Sequence, residues 1–143
     1  MWHMKTFYWT AALAVIACGI LLRPSLLRAQ GAKAEYPELS PAETRDLLEK
    51  RSGDPDFVLL DVRTRKEFDA ERIAGAVMVD YRSPSFRDQM AKLDRSKSYL
   101  VYCRTGNRTS GAVKVMRELG FPNVFVFPGG ITKWKEAGFP TKR

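Results

Sequence analysis

Tyr99-Leu100-Val101-Tyr102-Cys103-Arg104-Thr105-Gly106-Asn107-Arg108 is the stretch on which the reading of this chain turns. A run of strand length, Tyr99–Tyr102, ends in a cysteine. From Ser110 the pattern becomes helical, with Ala112, Val113, Met116 and Leu119 apolar and Gly120 in a natural position to close the helix. A strand feeding a helix through a short loop is half of a β-α-β unit. In such folds ligands bind beyond the carboxyl ends of the strands, and that is the edge to which this strand delivers Cys103.

The flanking sequence repeats the pattern. Ser40-Pro41-Ala42-Glu43 predicts a capped helix start, with Pro41 at the first helical position and the helix running to about Lys50. Phe57–Leu60, ending in Asp61, reads as a short strand, and Arg65–Glu71 as a short helix with Phe68 and Ala70 inward. Ala76–Val79 is a second brief strand. Ser85–Leu93 is a helix with Phe86, Met90 and Leu93 on one face. Val124–Phe127 is the last strand, and Pro128-Gly129-Gly130 turns into a helix over Ile131–Ala137. Residues 30–39 read as a linker. Alternating strands and helices predict an α/β fold, a parallel sheet with helices on both faces.

Within the loop, Gly106 and Asn107 are the residues that most readily accept left-handed backbone angles. A loop curled by them turns successive N–H groups inward as an anion-binding nest, and the helix that follows adds partial positive charge. Arg104 and Arg108 are expected to bring two full charges to its rim. All of this favours thiolate over thiol. An inert core cysteine would have apolar neighbours, whereas arginine, threonine, glycine and asparagine follow Cys103.

Composition excludes several other chemistries. The chain has a single histidine, His3, far from the loop in sequence. A Cys-His or Ser-His pair, or a zinc site built on histidine, would need that residue in the folded body. No metal and no cofactor is called for. The net charge of +8 invites a nucleic-acid reading, but Lys5, Arg23 and Arg28 lie in the first 29 residues without an acid among them. The 24 basic residues less these three leave 21 against 16 acidic, a balance of +5. Acids and bases alternate through Arg63, Arg65, Lys66, Glu67, Asp69, Glu71 and Arg72, as on an ordinary solvated surface. No zinc-finger spacing, aromatic RNA-binding signature or long basic run is present, so a nucleic-acid partner is not expected. A mildly basic surface that draws in a small anion fits the same charge.

The amino-terminal segment has its own logic. After Lys5, residues 6–22 carry no charge and are mostly apolar, closed by Arg23 and Pro24. As a helix they would span about 26 Å, a little less than a hydrocarbon core of about 30 Å. A positive start followed by an apolar run is the pattern of an export signal. Residues 1–34 are therefore expected to be a signal peptide, or a membrane or lipid anchor, plus linker, and 35–143 the folded domain. Three fates stay open. They are cleavage after Ala32-Lys33-Ala34, lipidation of Cys18 in Val15-Ile16-Ala17-Cys18, and retention as a membrane tether through residues 6–22. Each sets the body outside the cytoplasm, periplasmic or secreted, with Cys103 as its one thiol. A lone thiol cannot form an internal disulfide, so it is structural or reactive.

Three groups of residues together resemble the single-domain rhodanese family, over a span from about Leu39 to the carboxyl terminus. They are Leu60-Asp61-Val62-Arg63 with Glu67-Phe68 and Ile73-Ala74-Gly75-Ala76; the Cys103 loop with Tyr102 before it and Thr109-Ser110 after it; and Gly129-Gly130-Ile131 with Trp134. Many relatives carry a histidine where this chain has Arg72. The resemblance implies a sulfurtransferase in which Cys103 takes sulfane sulfur from a donor such as thiosulfate, carries it as a persulfide, and passes it to cyanide or a thiol. It implies that the loop amides from Arg104 through Thr105, Gly106 and Asn107 to Arg108 hold the persulfide, and that Arg104 and Arg108 attract the anionic donor. Rhodanese-like domains also serve as persulfide carriers or docking modules for a sulfur-accepting protein, the alternative to a turnover enzyme. Phosphatases sharing the fold use Cys-x₅-Arg, whereas four residues separate Cys103 from Arg108. Asp61 and Arg63 are expected to pair and fix the sheet edge, and Phe127 and Trp134 to be core.

Overall fold

The computed structural model describes residues 35–143. The expectations for the amino-terminal segment, including Cys18, the cleavage site and the tether, lie outside the described residues.

The body alternates as the sequence patterns require: α1 (Pro41–Lys50), β1 (Phe57–Asp61), α2 (Arg65–Ala70), β2 (Val77–Met78), α3 (Phe86–Ala91), β3 (Ser98–Tyr102), α4 (Asn107–Glu118), β4 (Val124–Phe127) and α5 (Gly130–Glu136). The first helix starts where its capping residues put it. Ser40 Oγ accepts from Glu43 N at 3.3 Å, the Glu43 carboxylate accepts from Ser40 N at 2.8 Å, and Pro41 leads the first turn.

The four strands form one parallel sheet in the order β2-β1-β3-β4. β3 is central, with Leu59 opposite Leu100 on one side and Leu100 opposite Phe125 on the other. Covered on both faces, it carries the nearly continuous apolar run expected of an interior parallel strand. Its side chains alternate between two cores. Tyr99, Val101 and Cys103 join Leu60, Val62, Phe86, Met90, Ala112 and Met116 under α3 and α4. Leu100 and Tyr102 join Leu59, Ile73, Phe127, Ile131 and Trp134, with Leu47 and Leu48 of α1 packed against them. Helices cover both faces, and Phe127 and Trp134 are core as expected.

Four local expectations need correction. β2 is two residues long, shorter than Ala76–Val79, and its Val77 is exposed at the sheet edge. Ala70 is exposed and Phe68 only half-buried, its ring stacked beneath the Arg72 guanidinium at 4.8 Å. The expected linker is packed at its end: Leu39 N donates to Val126 O and Val126 N to Pro37 O, while the buried Tyr36 hydroxyl donates to Phe121 O at 2.6 Å. Helix α4 begins at Asn107, three residues before Ser110, because Gly106 alone reverses the chain with φ of 98°. Ser110 N already closes the first helical hydrogen bond to Gly106 O at 3.0 Å.

Candidate active site

Cys103 follows the last residue of β3 and is 1% exposed. The loop around its sulfur is held from behind by the start of α5. Ile131 N donates to Cys103 O at 2.9 Å and Thr132 N to Arg104 O at 3.2 Å. With those carbonyls turned outward, the amides that follow face the sulfur. Gly106 N donates to Cys103 Sγ at 3.0 Å. Two glycines make this approach feasible. A Cβ at Gly106 would collide with the Pro128 carbonyl, and one at Gly130 with the carbonyls of Cys103 and Arg104. Both also lie at positive φ, 98° and 58°, where other residues are strained.

Burial pushes the Cys103 thiol up, but hydrogen-bond donors facing the sulfur outweigh it and hold the pKa below its ordinary value. Gly106 N makes the hydrogen bond to the sulfur, and the amides of Thr109 and Thr105 act with it, as does the Thr109 hydroxyl, which completes no hydrogen bond of its own. The result is a thiol biased to its anion by fixed dipoles.

The predicted loop residues divide into different positions. Thr105 and Gly106 turn their amides to the sulfur. Asn107, expected in a left-handed conformation, is the first residue of α4 and is exposed. Arg104 is exposed and has no carboxylate or carbonyl partner for its side chain among the described residues. It lines a cleft of about 460 Å³ together with Arg63, Glu67, Glu71, Ile131 and Lys135, a cleft whose wall does not include Cys103.

Arg108 departs most from expectation. The sequence suggests a free charge on the rim, yet both terminal nitrogens are committed to Glu67. Nη1 donates to Oε2 at 2.6 Å and Nη2 to Oε1 at 2.8 Å. Arg108 is 13% exposed and Glu67 29%. Thr64 fixes the carboxylate from its other side, its hydroxyl donating to Oε2 at 2.8 Å as part of the capping box of α2. The Arg108 guanidinium holds the Glu67 carboxyl far below the usual carboxylate range, against the opposing effect of burial. A phosphoryl group at the loop would find this guanidinium already taken.

Two neighbours of the loop enter the sequence reading only as parts of the family pattern, with no role of their own. Glu67 is legible as the fourth residue of a Thr-x-x-Glu cap, but its partner lies 41 residues away. Thr109 shares the buried face of α4 with Ala112 and Met116, a spacing visible only once the helix starts before it. The Asp61–Arg63 pair is buried as expected, with Nη2 to Oδ2 at 2.7 Å. The same Nη2 donates to Glu71 O at 2.6 Å, and Ile73 N donates to the Tyr102 hydroxyl at 3.2 Å. Together they brace the sheet edge immediately before Cys103.

Comparison with known proteins agrees with this architecture. The family model for the rhodanese-like domain matches residues 44–137. The thiosulfate sulfurtransferase GlpE of Coxiella burnetii is 32% identical over 106 residues, covering 74% of this chain and 92% of that protein. The probable adenylyltransferase/sulfurtransferase MoeZ of Mycobacterium tuberculosis is 30% identical over 117 residues, 82% of this chain. This chain spans only 28% of the length of MoeZ. Among solved structures, a rhodanese-related protein from Thermoplasma volcanium superposes with a TM-score of 0.62 at 30% identity, covering 75% of this chain and 98% of that one. A rhodanese-like domain from Anabaena sp. gives 0.64 at 31% identity, covering 76% and 80%.

Proposed function

The chain belongs to the rhodanese-like domain family, and on that premise we propose that it transfers sulfane sulfur from a small anionic donor such as thiosulfate, through a persulfide on Cys103, to cyanide or a thiol. The observation that carries this reading is the buried thiol at the end of β3 with the amides of Thr105, Gly106 and Thr109 turned to its sulfur. These dipoles bias the thiol to its nucleophilic form and need no base to do so.

In the first half-reaction the Cys103 thiolate attacks the outer sulfur of thiosulfate. A cysteine–sulfur bond forms, the sulfur–sulfur bond of the donor breaks, and its electron pair leaves with sulfite. The persulfide anion then takes the thiolate's place among the same amides, so negative charge is met by donors before and after the step. In the second, cyanide attacks the outer sulfur, thiocyanate leaves, and the Cys103 thiolate is restored. Arg104 supplies the one uncommitted cation of the loop and raises the local concentration of the dianion.

Intact-mass measurement after thiosulfate treatment tests the reading. One added sulfur on the wild-type protein and none on a folded Cys103→Ser variant is the expected result. Thiosulfate:cyanide activity retained by that variant would refute it. The same assay separates enzyme from carrier: product many times the protein concentration marks turnover, and product that stops near one equivalent marks a carrier awaiting a sulfur-accepting partner.

A further inference from the structure

We propose that a groove beside the Cys103 loop, running from Arg104 past Glu71 to Lys142 and Arg143, seats an extended acidic segment of a protein that accepts the sulfur. That the partner is an acceptor rests on the sulfur-transfer reading, whereas the docking itself does not.

The groove is made of two clefts. The one of about 460 Å³ that Arg104 lines has Ala70 and Glu71 in its wall, and a second, of about 450 Å³, continues from the same two residues to Thr141, Lys142 and Arg143. Both ends are fixed by the fold. Helix α5 holds the Arg104 end, where Thr132 N donates to Arg104 O at 3.2 Å. At the other end Lys142 exchanges two backbone hydrogen bonds with Arg72, each 2.8 Å, and Thr141 Oγ1 donates to Glu71 Oε1 at 2.8 Å. Residues 141–143 are therefore held along the groove by contacts that leave the Lys142 and Arg143 side chains exposed.

The ion pairs give the groove its sign. Each carboxylate in its wall is already matched: Glu67 by Arg108, Glu71 by Lys135 at 2.8 Å and Glu136 by Lys133 at 2.6 Å. Arg63 is bound to Asp61. Arg104, Lys142 and Arg143 remain, with no side-chain partner among the described residues. Uncompensated cations along one recess focus a positive field, and such rows recognise acidic segments by charge-assisted hydrogen bonds.

The occupant has to come from outside the chain. Residues 1–34 carry Lys5, Arg23, Arg28 and Lys33 and no acid, and a second copy brings the same net charge of +8, so neither complements the groove. No aromatic side chain lines either cleft, so there is no platform on which a nucleic-acid base could stack. A recess also fits an extended chain better than a flat lipid surface. With the acidic segment seated, the partner's thiolate attacks the outer sulfur of the Cys103 persulfide from the Arg104 end. The sulfur–sulfur bond breaks, its electron pair returns to the Cys103 sulfur, and the partner leaves with the outer sulfur.

The probe is a fluorescein-labelled oligoglutamate peptide ending in one cysteine, followed by anisotropy on the full chain with no sulfur donor present. Lys142→Glu combined with Arg143→Glu should weaken its binding at least tenfold at about 0.05 M salt, with the loss closing towards 1 M. Lys50→Glu combined with Lys92→Glu makes the same change in net charge away from both clefts and should weaken it less than about threefold. Thermal unfolding checks that every variant folds. Equal losses in the two double variants, no binding of oligoglutamate, or equal binding of an oligoglutamine peptide would overturn the proposal. So would oligouridylate or phosphatidylglycerol vesicles that bind more tightly than oligoglutamate with the same dependence on Lys142 and Arg143. Transfer is read separately, as one sulfur added to the mass of the peptide after mixing with sulfur-loaded protein. Expected peptide binding by a protein that never takes sulfur from thiosulfate keeps the groove and removes the sulfur-transfer reading. A protein that takes sulfur but does not bind the peptide removes the groove alone.

Discussion

Replacing Glu67 by Gln should destabilise the domain and at the same time speed its reaction with an anionic donor. The carboxylate accepts from both terminal nitrogens of Arg108, at 2.6 and 2.8 Å, and from the Thr64 hydroxyl at 2.8 Å. Breaking a fully buried pair costs about 3–5 kcal/mol and an exposed one about 0–1. Arg108 is 13% exposed and Glu67 29%, so a loss of about 2 kcal/mol is expected, between those limits. For a domain of this size that lowers Tm by roughly 10 °C. A double-mutant cycle with Arg108→Gln should return most of it as coupling energy.

The opposite sign for reactivity follows from charge. Arg108 and Cys103 sense one another electrostatically, but Glu67 cancels the arginine. Freed from it, the guanidinium adds a positive charge beside the loop, which should raise donor kcat/KM by about fivefold at low salt. The double variant Glu67→Gln/Arg108→Gln removes a pair that is already neutral and should change donor kcat/KM by less than about twofold, whereas Arg108→Gln alone leaves the Glu67 carboxylate uncompensated and should lower it. Initial rates against thiosulfate at two salt concentrations, below the melting range of every variant, decide the matter. If Glu67→Gln leaves kcat/KM unchanged or lower while the double variant loses fivefold, Arg108 serves the donor in spite of its pairing and the reasoning fails. The stability term also has a defined pH window. The folded Glu67 carboxyl sits below its unfolded value of about 4.3, so the pair contributes fully above that pH and progressively less as pH falls below it. Wild type and Gln variant should therefore differ by a constant amount from pH 8 to 5 and converge in acid.

Arg104→Gln should lower donor kcat/KM by about fivefold at 0.1 M salt, with the loss shrinking towards 1 M as the Debye length falls from about 10 to 3 Å. A salt-independent loss, or none, would show that the amides alone meet the anion. Gly106→Ala should cost about 2–4 kcal/mol in denaturant unfolding, since φ of 98° and the Pro128 carbonyl both oppose a Cβ there. A cost below about 0.5 kcal/mol would mean the loop relaxes freely, contrary to the packing described.

The fold is legible where local chemistry decides it. Ser40, Pro41 and Glu43 carry their cap in adjacent residues, and β3 announces itself as an apolar run too short for a helix. Cys103 and its inward amides follow from the strand-loop-helix order. What stays hidden depends on residues distant in sequence or on one torsion angle. Gly106 and Asn107 can both take left-handed angles, glycine the more freely, and packing against Pro128 shows that Gly106 makes the whole reversal and frees Asn107 for the helix. That three-residue change moves Thr109 from loop to buried helix face. Charge counting puts Arg108 on the rim because no local signal connects it to Glu67, forty-one residues earlier. Residues 36–39 lack the alternation of a strand, so their pairing beside β4 could not be read from the sequence.

A thiol activated by backbone amides, as proposed for Cys103, should have a simple response to pH. Amide dipoles do not titrate, and arginine keeps its charge across the working range. The Glu67 carboxyl is held far below neutrality by Arg108, and burial carries the Tyr102 hydroxyl well above its usual value. Among these groups Cys103 is the one left to ionise, from a pKa held below its ordinary value by the amides that face it. Donor kcat/KM should accordingly rise along a single limb as pH increases, with a midpoint below that of an ordinary thiol, and then stay level. The midpoint should coincide with that of iodoacetamide alkylation, because both report the free protein's thiolate. A bell-shaped profile with a descending limb between pH 7 and 9 would require a general acid in the first half-reaction, and activation of this sulfur by fixed dipoles alone would then be wrong.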